Sequence, residues 1–241
     1  MFEKLKEVQL IFLGLLIAAG MVGSTFVIAG NLSKDTVGVT GSAFEVVKSD
    51  SAEWSFDVSV KNVDRKAALK ALKDAQPIIK KYLIENGIEE SKINVLPSSN
   101  YETHKRLPNG SYSDEVAYYN YSQNYKINSS DVEKIKALSV SITDLAEQGI
   151  NISSFAPEYQ YSKLGELKIK LLNEATKDAK QRAEAMLNAN NNSVGAIRSV
   201  KMGVFQITPP GSNSVSDYGI NDSSTIDKKV TAVANVVFAI K

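Results

Sequence analysis

The sequence predicts an α+β fold in which mainly antiparallel strands are packed by helices. Between Trp54 and Val60 every second residue is apolar, a period typical of a strand with one buried face. Between Asp64 and Asn86 the apolar residues instead lie three or four apart, as on one side of a helix. Segments of these two kinds predict the order β-β-α-β-β-α-β-α-β-β, and a long hairpin at residues 92–127 favours antiparallel pairing.

The composition limits the classes of protein to which the chain can belong. It has 241 residues, 43% of them hydrophobic, which is enough for one large domain or two small ones with a buried core. A net charge of +1 argues against a nucleic-acid-binding protein, which normally concentrates Lys and Arg. Because the chain has no cysteine, disulfides, thiol chemistry and cysteine metal sites are excluded.

The sequence also lacks the common signatures of catalysis. There is no phosphate-binding loop, dinucleotide fingerprint, zinc motif or calcium loop. The single histidine, His104, lies toward the end of the predicted hairpin, and we interpret it as a solvated turn residue rather than a catalytic base. We therefore expect no cofactor, no metal and no enzymatic activity. An enzyme with a carboxylate- or serine-based site stays open as an alternative.

The N-terminal segment predicts a membrane anchor. Residues 8–29 contain no charged residue and would span about 33 Å as a helix, enough to cross a bilayer core. Lysines in residues 1–7 favour a cytoplasmic N-terminus and export of the remainder. The alternative is a signal peptide cleaved near Ala29. A short polar linker, residues 30–35, then leads to an extracytoplasmic domain at residues 36–241.

Within this domain the first half reads as two strands, a helix and a hairpin. The helix ends before Gly87, and Pro77 inside it predicts a kink or two shorter helices. The strands of the first half are predicted at residues 36–47, 53–61, 92–102 and 115–127.

The second half repeats part of this pattern. Ser130 and Glu133 form a capping box at the start of a helix that ends at Gly149. A Gly-Ile pair follows the helix in both halves, which suggests a duplicated unit. The remaining elements are a strand at 150–162, a helix from Leu164 to about Asn190, and strands at 193–207 and 229–241, separated by a polar loop at 208–227. The last strand is apolar on nearly both faces, which predicts a central position in its sheet.

Tyrosines mark one candidate surface. Tyr119, Tyr121 and Tyr125 share one face of a predicted strand, and Tyr101 comes from the strand before it. One interpretation is a platform that stacks on glycan or peptide, and a subunit interface is another. Cross-strand aromatic pairing without any ligand explains the same pattern.

Alanines mark a second candidate surface. In the stretch "EATKDAKQRAEAM", Ala175, Ala179 and Ala183 lie four residues apart, with Met186 further along the same helix. Small side chains let a helix backbone approach another surface closely. The helix is therefore predicted to pack on a sheet within the fold, and a seam between subunits is the alternative.

The segment from "NYKINSSDVEKIKALSVSITDLAEQGINISSF" through the alanine helix resembles the SIMPL-domain family, and so do the early "VTGSA" and "AEWSFDVSV" strands. Coverage runs from Val37 to Lys241. The chain departs from the family where "NANNNSVGAIRSV" keeps Gly195 alone after the alanine helix. The resemblance implies an exported α+β protein, periplasmic, secreted or membrane-anchored, that in some members assembles into rings or channels. It implies no catalytic residues.

These observations favour a non-enzymatic, single-pass envelope protein of the inner membrane that forms homo-oligomers and supports envelope or stress functions. Its domain would face the periplasm, and no nucleic-acid partner is expected. The alternative is an extracytoplasmic module that binds glycan or peptide through the tyrosine hairpin or the 208–227 loop. The sequence leaves the stoichiometry and the ligand open.

Overall fold

The structure, a computed structural model, describes residues 13–25 and 35–241. Residues 13–25 form a helix, α1, and every residue in it is exposed. The other parts of the predicted anchor, residues 8–12 and 26–29, lie outside the described residues. Among the helices that the structure describes, none is both long and apolar enough to cross a bilayer.

The remaining elements alternate between strands and helices. The helices are α2 Arg65–Glu85, α3 Val132–Ser141 and α4 Leu164–Asn188. The strands are β1 Thr36–Lys48, β2 Ser51–Asn62, β3 Ile93–Val95, β4 Ser99–Arg106, β5 Tyr112–Ser129, β6 Asn151–Ser154, β7 Glu158–Gln160, β8 Val194–Met202, β9 Gln206–Thr208, β10 Ile220–Asn221 and β11 Asp227–Ile240.

These elements belong to two compact units. The larger unit contains residues 42–174 and 203–233. The smaller unit contains residues 175–202 and 234–241, together with the described residues up to Gly41.

The larger unit contains a six-stranded sheet with the order β3-β5-β2-β6, in which β4 also pairs with β5 and β7 with β2. All of these pairs are antiparallel, as the sequence predicts. In β2-α2-β3 and again in β5-α3-β6, the helix joins two strands that have a third strand between them. This is the split β-α-β arrangement. It explains why the two halves of the sequence look alike.

A Gly-Ile pair ends the helical segment in each half; in the second half this segment is α3 followed by a 3₁₀ helix, Ile142–Gln148. Gly87 and Gly149 both have a φ of 80°, a left-handed conformation in which glycine meets no Cβ penalty. The isoleucines that follow, Ile88 and Ile150, are both buried. The repeated pair therefore turns the chain from helix to edge strand in the same way on the two sides of the sheet.

The core of the larger unit lies between this sheet and helices α2 and α3. Its centre is aromatic: the rings of Phe56 and Tyr125 stack with their centroids 4.9 Å apart, and the ring of Trp54 lies 5.0 Å from that of Phe56. All three side chains are at most 1% exposed. The alternation predicted for β2 is therefore confirmed by its buried face.

Two prolines affect elements differently from the prediction. Helix α2 continues through Pro77 as one element. The carbonyl that Pro77 leaves without a partner belongs to Lys73, an exposed residue, so water can solvate it. The strand predicted at 92–102 is instead interrupted near Pro97 and divides into β3 and β4, because proline supplies no amide to the ladder.

The second sheet has the order β1-β11-β9-β10, and β8 also pairs with β11. Strand β11 is interior in this order, as its apolar sequence predicts. In the smaller unit its residues 234–240 pair antiparallel with 194–202 of β8. In the larger unit its residues 229–231 pair antiparallel with 206–208 of β9.

Helix α4 buries one residue in every four along its length. The buried residues are Leu167, Leu171, Ala175, Ala179, Ala183 and Leu187. In the smaller unit, the alanines face β1 at Gly41, where the two backbones come very close. A Cβ atom at residue 41 would lie 2.1 Å from the carbonyl oxygen of Ala175 and 2.4 Å from the amide nitrogen of Ala179. Only glycine opposite alanine fits this contact.

Replacing Gly41 with alanine should destabilise the protein strongly. The added methyl group meets main-chain atoms of α4, which cannot rotate away as a side chain could. We expect a loss of about 3 kcal/mol, the upper end of the usual cost of overpacking, measured by urea unfolding.

Gly38→Ala is the matched control, on the same strand. A Cβ there would first meet Val237 at 4.0 Å, an ordinary contact, so its stability should stay within about 0.5 kcal/mol of the wild type. Equal effects of the two substitutions would contradict the close approach.

Candidate functional site

A buried charge pair lies at the start of β11 in the larger unit. Lys228 is only 3% exposed. Its Nζ atom donates a hydrogen bond of 2.5 Å to the main-chain oxygen of Asp222 and lies 3.7 Å from the Oδ2 atom of the same residue. An ammonium group this deeply buried is stable only beside such a partner.

The carboxylate of Asp222 is held by its own loop. The Ser224 amide and hydroxyl donate to Oδ1 at 3.1 and 2.6 Å, and the Thr225 hydroxyl donates to Oδ2. Burial raises the pKa of Asp222, but these hydrogen bonds and the charge of Lys228 outweigh it and lower the pKa to about 2. Burial lowers the pKa of Lys228, against the raising effect of Asp222. The pair therefore fixes the loop to β11.

A cavity of about 370 Å³ adjoins this pair. Its walls come from β7 and the residue that follows it, and from the start of α4. The strands before and after the polar loop, β9 and β11, and residues of the loop itself complete the walls. The lining residues are Glu158, Tyr159, Gln160, Tyr161, Leu164, Ile207, Asn221, Asp222, Ser223, Lys228 and Val230. A cavity of this size is in the range of small-molecule sites.

The chemistry of this cavity suits a neutral polar ligand better than an anion. The charge of Lys228 is already balanced by Asp222, and Glu158 adds an exposed carboxylate to the lining. Amides, hydroxyls and two tyrosines supply the other polar groups. Among the described residues there is no cluster of histidine and carboxylate side chains that could hold a metal ion. The arrangement offers hydrogen bonds and aromatic surface.

A second feature of the larger unit is a buried tyrosine whose hydroxyl has no hydrogen-bond partner among the described residues. Tyr125 is 1% exposed, and no described group accepts a hydrogen bond from its Oη atom. Burial raises the pKa of Tyr125 to about 12, so the hydroxyl keeps its proton at neutral pH. Tyr125 also lines a cavity of about 450 Å³ between α2 and β3.

The structure does not bring the four predicted tyrosines onto one surface. Tyr121 and Tyr125 are buried in the core, and Tyr119 packs against its edge. Tyr101 pairs with Asn120 in the β4–β5 register, so it lies on the opposite face of the sheet from the other three, and it is exposed. The spacing of the tyrosines predicted the strand on which they lie. It could not predict that α2 covers the apolar face of that strand.

The alanines and the methionine predicted to share one surface of α4 differ in burial. Ala175, Ala179 and Ala183 are each 0% exposed, whereas Met186 is 56% exposed. The alanines are therefore buried within the chain, as the packing prediction expects. His104 lies within strand β4 rather than in the turn of the hairpin, and its Nδ1 atom is buried without a partner among the described residues.

Sequence reasoning missed Lys228, Asp222 and Gly41 as important positions. Lys228 opens an apolar strand, where a charged residue normally marks the solvated end of the element. The polar loop that the sequence singles out supplies Asn221, Asp222 and Ser223 to the lining of the cavity. The signal that could have found Gly41 is a glycine in the interior of a strand pattern, which often marks a close backbone approach.

Comparison with known proteins places the chain in a family. Residues 37–238 match the family model SIMPL, described as "Protein of unknown function (DUF541)". A search of curated proteins finds no match. The matched range extends from β1 to β11 and includes both candidate cavities. The family resemblance drawn from the sequence is therefore confirmed.

Acid should reveal the contribution of Asp222 to stability. Because the folded pKa of about 2 lies below the ordinary value of 3.8, the carboxylate stabilises the fold above pH 4, and this stabilisation is lost as the pH falls toward 2. We expect the free energy of unfolding of the wild type to exceed that of Asp222→Asn at pH 6, and the difference to shrink by about 2 kcal/mol at pH 2.

Urea unfolding at several pH values measures this difference. Asp114→Asn, at an exposed position of β5, is the control and should differ from the wild type by a small, nearly constant amount. If the difference in the free energy of unfolding between the wild type and Asp222→Asn stays constant from pH 6 to pH 2, Asp222 is not the group that titrates.

Proposed function

The chain belongs to the SIMPL family, and we propose that it is a non-enzymatic, membrane-anchored envelope protein that self-assembles, with its main domain outside the cytoplasm. The observation that carries the proposal is helix α1. Apart from Ser24 and Thr25 at its end, the side chains of this helix are apolar, and all of its described residues are exposed. A soluble protein rarely leaves so much contiguous apolar surface in water.

The sequence around α1 supports a membrane as its environment. The uncharged run extends beyond the described residues of α1 on both sides, over residues 8–29, a length suited to a bilayer core. Lys4 and Lys6 precede it, which favours a cytoplasmic N-terminus and a periplasmic C-terminal domain. A cleaved signal peptide with a secreted or periplasmic domain is the rival, and it predicts a mature chain without this segment.

The uncovered edge of β8 supports self-assembly. In the described part of the chain, β8 pairs only with β11, so its other side presents unpaired main-chain groups. Ile197, Val200 and Met202 on this strand are all more than half exposed. A second copy that adds its own β8 would pair these groups and cover the apolar side chains. The exposed edge of β8 therefore supports a subunit contact there rather than on the alanines of α4.

The non-enzymatic part of the proposal rests on the sequence. The absence of cysteine and the single histidine leave few nucleophile–base combinations. Support for envelope or stress functions would then be indirect, through assembly at the membrane.

A ligand-binding module is the second candidate function, favoured by the cavity of about 370 Å³ beside Lys228. Its polar and aromatic lining suits a glycan or a peptide segment, and part of that lining comes from the 208–227 loop. Binding of this kind is compatible with a membrane-anchored assembly.

The mass of the full-length protein extracted from membranes tests the leading proposal. We expect the protein to stay in the membrane fraction after a carbonate wash and to run in mild detergent, by light scattering, as a particle of several chains. Val200→Lys should lower that mass, because it places a charge on the exposed apolar face of β8.

Ser199→Lys is the control, because the side chain of residue 199 points to the opposite face of β8 from the side chain of Val200. A wild-type monomer would rule out self-assembly, and release by carbonate would rule out the anchor. Equal masses for Val200→Lys and the wild type would exclude β8 as the contact.

A further inference from the structure

The cavity beside Lys228 carries a more specific inference about its ligand. This inference rests on the second candidate function, ligand binding in the larger unit, and names the class of ligand. The volume of the cavity, about 370 Å³, lies near the lower end of the range of small-molecule sites. It therefore suits a small ring system better than a long chain.

The rim of this cavity consists of polar side chains that a ligand can reach. Glu158, Gln160 and Asn221 are exposed, and Tyr161 and Ser223 are half-buried. No hydrogen bond or ion pair joins these side chains to other residues in the part of the chain that the structure describes. A ligand that displaces water can therefore use their donors and acceptors.

The inner wall of the cavity is apolar and aromatic. Ile207, Val230 and Tyr159 are buried lining residues, and Leu164 lies beside them. A pyranose sugar has the matching character, because its ring presents C–H groups on its faces and hydroxyls around its edge. The faces of the ring can pack on apolar and aromatic side chains while the edge meets the polar rim.

The polar groups of the rim match hydroxyls better than they match ions. A sugar hydroxyl both donates and accepts hydrogen bonds; the amides of Gln160 and Asn221 do both, and the carboxylate of Glu158 accepts. Because Lys228 is balanced by Asp222, Glu158 leaves the lining with a net negative charge that disfavours an anion. A single exposed carboxylate attracts a cation only weakly.

Main-chain hydrogen bonds hold this rim in place before any ligand binds. The Tyr159 amide donates to the Ser223 oxygen at 2.7 Å, and the Asp222 amide donates to the Ile207 oxygen at 3.0 Å. These bonds tie the loop to β7 and β9, and Lys228 ties it to β11. Binding therefore has to order only the side chains of the rim, which lowers its entropic cost.

A peptide fits this cavity less well than a sugar. Extended peptides are commonly recognised by main-chain pairing with a strand at the edge of a sheet. The strands at the rim, β7 and β10, have only three and two residues. They offer too little main chain to hold a peptide by strand pairing, so recognition depends on side chains.

We propose that this cavity binds a neutral pyranose sugar, as the terminal unit of a glycan. One face of the sugar ring lies against the apolar wall, and its hydroxyls donate to Glu158 and exchange hydrogen bonds with Gln160 and Asn221. The inference does not depend on membrane anchoring or on self-assembly, because every residue it uses lies within the larger unit.

Methyl β-D-glucopyranoside is the probe, added to the full chain in a detergent that has no sugar headgroup. NMR of the methyl groups of Leu164, Ile207 and Val230 follows the binding. We expect saturable shifts of these signals. Asn221→Ala should bind the probe about threefold to tenfold more weakly, since hydrogen bonds to a neutral ligand are lost. Its melting temperature should stay close to that of the wild type, because the amide has no partner in the described chain.

Asn94→Ala is the matched control for the amide. Asn94 is an exposed strand residue of the larger unit that lies outside the cavity lining. This variant should bind the probe as the wild type does. Equal weakening by Asn94→Ala and Asn221→Ala would overturn the proposed site.

The preference for a neutral sugar is tested with the matching glucuronide, which carries a carboxylate at C6. It should bind the wild type more weakly than the glucoside does, and Glu158→Gln should narrow this difference. Glu147→Gln, an exposed carboxylate outside the cavity lining, should preserve it.

A blocked dipeptide, N-acetylalanylalanine amide, separates this inference from the function on which it rests. Saturable shifts with the dipeptide and none with the glucoside would overturn the sugar and keep ligand binding. Shifts with neither probe would overturn both. The inference also fails if Asn221→Ala binds the glucoside unchanged, or if the glucuronide binds the wild type as tightly as the glucoside.

Discussion

The contact between Gly41 and the alanines of α4 is the constraint on which the smaller unit depends. A strand and a helix can approach this closely only if neither carries a side chain larger than a methyl group at the crossing point. The spacing of four residues between the alanines keeps a small residue at each successive turn of the helix that faces the strand. The charged residues between them keep the rest of the helix in water. The composition of α4 thus follows from one geometric requirement, and no ligand or catalytic role is needed to explain it.

The larger unit is built on a different principle, because it buries polar groups as well as apolar ones. Lys228 and Asp222 neutralise each other, and Ser224 and Thr225 complete the carboxylate's hydrogen bonds. This network explains how a polar, serine-rich loop can keep a defined shape beside a cavity. The hydroxyl of Tyr125 has no equivalent partner among the described residues.

Much of the fold could be predicted from the sequence, because period and capping report local structure directly. The alternation in β2 and the Gly-Ile pairs identified their elements, and the apolar character of β11 identified its interior position. The predicted capping box located the start of α3, but the residue that caps this helix is Asp131, not Ser130: its side chain accepts a hydrogen bond from the amide of Lys134. The candidate surfaces were harder to predict. The spacing of residues shows which face of a helix or strand they share, but not what covers that face. Tyr121 and Tyr125 share a face with Tyr119 as predicted, yet α2 packs over that face. Lys228 and Asp222 meet only because the loop folds back toward the start of β11, and no local sequence pattern reveals this.

The central claim is that the alanine face of α4 packs within one chain and not between subunits. The most direct test is the melting temperature of Ala179→Leu relative to the wild type at two protein concentrations about a hundredfold apart. Packing within the chain predicts that the variant melts at a lower temperature by the same amount at both concentrations, since overpacking acts on each chain separately. A difference that appears only at the higher concentration, where subunits associate, would contradict the account and assign the alanines to an interface.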